Sequence, residues 1–122
     1  MKQINKVARM LKSQFAGRYN DYYKSAVIYL DTADDVLYCK LWGQGESYIQ
    51  HPRYLVPLVT YSPMYGNWGD EYGNDNNWRL TKKAIARDIK ASFAHIERGD
   101  DYFPPVAVPE WLRAEVDSYT NR

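Results

Sequence analysis

The sequence predicts an α+β fold: an antiparallel sheet of three to five strands with two helices packed on one face, in the order α-β-β-β-α, and a short C-terminal helix. Three observations carry this. Residues 26–42 hold two apolar runs of period two, a pattern that suits strands because their successive side chains point to opposite faces. Residues 4–15 and 85–96 each carry an apolar stripe at helical spacing. No internal repeat or long linker divides the 122 residues, so 1–122 reads as one domain with a single core.

In the first helix, 3–16, Ile4, Val7, Ala8, Leu11 and Phe15 form the apolar stripe, and Gly17 is a natural stop. A polar, aromatic connector, 19–23, leads to the first strand. There Ala26, Ile28 and Leu30 share one face, and Val27 and Tyr29 the other. The loop 31–35 supplies Asp31, Asp34 and Asp35, a residue type that tolerates tight turns. The second strand sets Leu37, Cys39 and Leu41 against Val36, Tyr38, Lys40 and Trp42. One sheet face is therefore aliphatic and the other aromatic.

Gly43-Gln-Gly45-Glu46 reads as a further turn, 47–50 as a short strand and 54–61 as another. Pro57 has no N–H for a ladder, which suits an edge strand or a bulge. Thr81 caps the second helix, 82–98, whose stripe is Ile85, Ile89, Phe93 and Ile96, and Gly99 ends it. Residues 100–109 contain Pro104, Pro105 and Pro109 and run extended, with Pro109 at the first position of a terminal helix over 110–118. Ile4, Val7, Leu11, Phe15, Ile28, Leu30, Leu37, Leu41, Ile85, Ile89 and Phe93 should make one core. The tail, with Phe103, Val106, Val108 and Trp111, is expected to cover the aromatic sheet face.

A lone cysteine excludes an internal disulfide and points to a reducing compartment, so the expected location is cytoplasmic, including the cytoplasm of a host cell. Cys39 sits among aliphatic residues as a small core side chain. No apolar run reaches the length of a membrane span, and no membrane partner is expected. Twelve Tyr and four Trp exceed what one small core needs, and such residues favour interfaces.

The net charge of +1 conceals a separation. Residues 1–20 hold five bases and no acid, and 82–98 hold five bases against Asp88 and Glu97. The remainder holds six bases against thirteen acids. If both helices cover the aliphatic face, Lys6, Arg9, Lys12, Lys83 and Arg87 fall on one positive outer surface, which a phosphate backbone would reward. Lysines and arginines also face outward on helices simply for solubility, and the acidic remainder opposes a polyanion.

No Walker loop, G-x-S-x-G elbow, H-E-x-x-H pair or cysteine pair occurs. Gly43-x-Gly45 lacks a third glycine and a following helix. His51 and His95 lack the further ligands that zinc requires. Asp70, Glu71 and Asp75 do not match the spacing of a calcium loop. The expectation is a non-enzyme without cofactor or metal.

The loop 62–78 (SPMYGNWGDEYGNDNNW) has neither helical nor strand period. Loops of that length inside compact domains are usually functional or disordered, and its aromatic residues argue against disorder. Tyr65, Trp68, Asp70, Glu71 and Tyr72 are the expected partner-binding residues. In general character the chain resembles accessory proteins of phages and mobile elements, many of which inhibit host defence nucleases by occluding a site; no motif carries that resemblance. The reading is a non-enzymatic, inhibitor-type binding protein with a protein partner. Direct, weak nucleic-acid binding through the basic helices comes second, and a small enzyme without a recognisable motif third.

Overall fold

The computed structural model describes residues 2–15, 25–43, 52–61 and 81–121. Within them the elements are α1 (Gln3–Phe15), β1 (Ser25–Asp31), β2 (Val36–Trp42), β3 (Leu55–Tyr61), α2 (Lys82–Ala91), α3 (Phe93–Arg98) and α4 (Glu110–Thr120). The class is α+β, but the order is α-β-β-β-α-α-α, one helix more than the expected α-β-β-β-α with its short C-terminal helix. The expected strand at 47–50, the side chain of Phe15 and the loop 62–78 lie outside the described residues.

The helix expected over 82–98 is two. Ser92 Oγ donates to the Ile89 carbonyl at 2.6 Å, and Ser92 N–H donates to the same carbonyl at 3.0 Å. That acceptor would serve residue 93 in a continuous α-helix, so the turn tightens and the ladder breaks. The apolar stripe survives the break, since Ile85, Ile89, Phe93 and Ile96 are all buried. At the far end Gly99 has φ 75, and a Cβ there would lie 2.6 Å from Pro105 N. Only glycine fits that left-handed, crowded position.

The three strands are antiparallel in the order β2-β1-β3. Asp31 Oδ1 accepts from the Ala33 and Asp34 N–H groups at 2.9 and 3.1 Å, an Asx turn that closes the β1–β2 hairpin, and Asp35 takes the left-handed φ of 56. Along the other side of β1, Ile28 faces Val59 and Tyr29 faces Pro57, leaving Leu58 as an extra residue. Pro57 thus sits beside a bulge and on a strand that is outermost among the described residues, both of which its missing N–H favours.

Alternate residues of β1 enter two separate clusters. Ala26, Ile28 and Leu30 join Leu37, Cys39, Val56 and Tyr61 and the buried side chains of all four helices. Each residue of the expected core that the structure describes belongs to this cluster, with Leu41 partly buried. Val27, Tyr29, Trp42 and Leu55 form the second cluster, where Trp42 Nε1 donates to Tyr29 Oη at 2.8 Å. Tyr38 remains 39% exposed, with its ring 6.2 Å from that of Tyr29.

The tail does not cover the aromatic face. Phe103, Val108, Leu112 and Val116 are buried in the main cluster instead, and Val106 and Trp111 pack against it. α4 lies chiefly against α2, and it also touches α1. Pro109 is the residue preceding the helix and not its first position: its φ is −60, and its carbonyl accepts from Leu112 and Arg113.

Candidate functional site

Tyr65, Trp68, Asp70, Glu71 and Tyr72 lie outside the described residues, as does all of 62–78; the described chain stops at Tyr61 and resumes at Thr81. Tyr61 closes β3, is 1% exposed, and donates its O–H to Asp88 Oδ2 on α2 at 2.7 Å. Burial, and then the Asp88 carboxylate, hold the phenol well above its ordinary pKa, so it remains a donor at any physiological pH. Thr81, where the chain re-enters the described fold, accepts from Ala84 N–H at 3.0 Å as the cap of α2. The described chain on either side of 62–80 is thus tied to α2 by Tyr61 and continuous with it at Thr81.

The five basic residues occupy two touching helices. Arg9, Lys12, Lys83 and Arg87 are exposed and Lys6 is half-buried, and α1 contacts α2. α4 then changes the surface expected around them. Glu115 accepts from the N–H groups of Gln3 (3.0 Å) and Ile4 (2.5 Å), capping an α1 first turn that has no acid of its own. Asp117 lies 3.3 Å from Lys90, and Glu97 lies 2.7 Å from Arg113. Of the tail's acids, Asp117 thus stands beside a base of α2 and Glu115 at the start of α1.

A groove runs beside β3 that the sequence did not reveal. Its first part, about 170 Å³, lies between Val56–Thr60 and Ile96, Asp100, Phe103 and Pro104. Its second, more open part, about 430 Å³, shares Leu58, Val59 and Thr60 and continues to Asp88, Ala91 and Ser92. Asp100 Oδ1 accepts from the Tyr102 and Phe103 N–H groups at 2.8 and 2.7 Å, and these bonds hold its carboxyl below the usual carboxylate range. Arg98 lies 3.3 Å from His95 Nδ1, and His95 Nε2 lies 3.7 Å from Asp100 Oδ2. His95 and Asp100 line the first part and Asp88 the second, positions that follow from the packing of α2 and α3 beside β3. The one local hint was Pro57, the mark of an uncovered strand.

Burial pushes the Cys39 thiol up to about 12, which suits a core residue and not a nucleophile. Among the described residues no group of three His, Cys, Asp or Glu could hold a metal ion, and no helix is long and apolar enough to cross a membrane. No protein-family model, curated protein or solved structure matches the chain.

Proposed function

We propose that the protein is a non-enzymatic binding module that presents residues 62–78 to a protein partner inside a cell. The observation that carries this reading is that the described residues flanking it, Tyr61 before and Thr81 after, are held at α2 by the Tyr61–Asp88 bond and the Thr81 cap. Fixed ends lower the entropy that the segment loses on binding. Tyr65, Trp68 and Tyr72 supply the rigid aromatic area typical of hot spots, with Asp70 and Glu71 around them. The scaffold in this reading is a sheet whose helices pack on its aliphatic face, as the shared cluster of helix residues with Ile28, Leu30 and Leu37 supports. An inhibitor of a host nucleic-acid-processing enzyme, encoded by a phage or mobile element, is the form of this role that the sequence suggests.

The second reading, direct phosphate binding through Lys6, Arg9, Lys12, Lys83 and Arg87, has Asp117 beside Lys90, on the same helix α2 as Lys83 and Arg87, to contend with. The test is capture of partners from a nuclease-treated host lysate by the wild type and by Trp68→Ala/Tyr72→Ala. Loss of a specific partner with unchanged melting temperature supports the proposal. Equal capture by both proteins, or capture that vanishes with nuclease, refutes it.

A further inference from the structure

The chain between α3 and α4 packs one side against the fold and turns the other to solvent. Residues 104–109 lie in no helix, strand or turn. Proline fixes φ at about −65° at Pro104, Pro105 and Pro109, and a following proline keeps Phe103, Pro104 and Val108 out of the helical region. Pro109 itself has φ −60 and ψ 143, polyproline II values. Burial follows the three-residue turn of that conformation. Phe103 is buried, and Val106 and Pro109 are half-buried, along one row; Pro104 and Ala107, in the next row, are exposed. Pro105 is exposed as well, whereas Val108 turns into the main cluster.

This ridge is held from beneath. Asp100 Oδ1 fixes the Tyr102 and Phe103 N–H groups, and Val106 N–H donates to the Ile96 carbonyl at 2.9 Å. The chain lies so close to Gly99 that a Cβ there would stand 2.8 Å from Pro105 Cδ. Little order therefore remains to be imposed when a partner binds. Exposed acids stand at both ends, Asp101 and Glu110, and neither is in an ion pair among the described residues. Of the neighbouring bases, Arg53 lies over the Tyr102 ring at 5.1 Å and Arg113 meets Glu97 at 2.7 Å. We infer that Pro104, Pro105 and Ala107 form a preshaped ligand for a folded partner domain whose groove is lined by aromatic side chains and rimmed by Lys or Arg. Such grooves accept the polyproline II conformation, with aromatic rings against the proline rings. The acids at the two ends choose among them, drawing a basic rim and repelling an acidic one.

The experiment titrates the full-length protein against purified SH3, WW and EVH1 domains, which take polyproline II segments in aromatic grooves, with rims of either charge. Domains with basic rims should bind, and an oligoproline peptide should compete with the wild-type protein for them. Pro104→Ala/Pro105→Ala should weaken that binding about tenfold or more. Asp101→Asn/Glu110→Gln should weaken it less and flatten its dependence on salt. Both variants should melt as the wild type does; if the proline variant melts lower, the oligoproline competition, which needs no substitution, decides. Absence of binding to every domain, binding that oligoproline leaves untouched, binding by a stably folded proline variant equal to that of the wild type, or a preference for acidic rims would overturn the inference.

Discussion

At the scale of single residues, the buried ionisable groups make the protein sensitive to alkali. An unfolded Cys39 ionises near 9.0, whereas the folded thiol holds its proton to about 12. Between those values the unfolded chain releases a proton that the folded chain keeps. This contribution to stability is whole below pH 9 and falls as pH rises, by up to about 1.4 kcal/mol per pH unit for one group. Tyr61 acts with the same sign from about pH 10, its ordinary value. Melting temperature should therefore drop steeply between pH 9 and 11, and less steeply in Cys39→Ala; parallel curves for the two proteins would refute this account. Tyr61→Phe removes the bond to Asp88 and should cost about 1 kcal/mol in urea unfolding at pH 7. Gly99→Ala should cost more, roughly 1–3 kcal/mol, because the new Cβ meets the backbone of Pro105 at a left-handed φ.

At the scale of elements, the period-two alternation of β1 and β2 was readable because it encodes which face each side chain takes, and Ile28 and Tyr29 duly enter different clusters. The stripes of α1 and α2 were readable for the same reason, at period 3.6. The break at Ser92 was not, since a serine inside a helical pattern becomes a break only when its hydroxyl turns to the carbonyl three residues back. Nor was the destination of the tail. Phe103, Val108 and Leu112 announce burial but name no sheet face, and the polar ties that settle the matter reach across the sequence to Gln3, Asn5, Asp35 and Lys90. Leu112→Ala should accordingly cost roughly 2–5 kcal/mol, and truncation after Gly99 should leave the main cluster open and the protein largely unfolded. A soluble, cooperatively melting truncation product would show that α4 is dispensable.

For the whole molecule, the distribution of charge decides which polymers it tolerates. Arg9, Lys12, Lys83 and Arg87 are exposed, yet carboxylates of α3 and α4 stand among the other bases of the helical layer. Affinity for random duplex DNA should be weak, and its logarithm should fall with the logarithm of salt with a slope below about 4, fewer than five neutralised phosphates. A fluorescence-anisotropy titration across salt concentrations measures that slope directly. A steep slope with tight binding at physiological salt would promote the nucleic-acid reading over the protein one. The groove escaped the sequence for a reason of the same scale: its walls come from 56–61 and 88–104, and neither segment alone has a motif.

The cap that Glu115 places on α1 also constrains the order of events in folding. The two N–H groups it satisfies belong to residues 111 and 112 positions earlier in the chain, and Lys2 and Asn5 meet Ser118 and Tyr119 across 116 and 114 positions. Closing so wide a loop is slow and comes before its reward. The first turn of α1 would thus mature late, once α4 has docked, and the two would fray together in the native state. Amide exchange at Gln3 and Ile4 should therefore track exchange within α4 more closely than exchange in the middle of α1 itself.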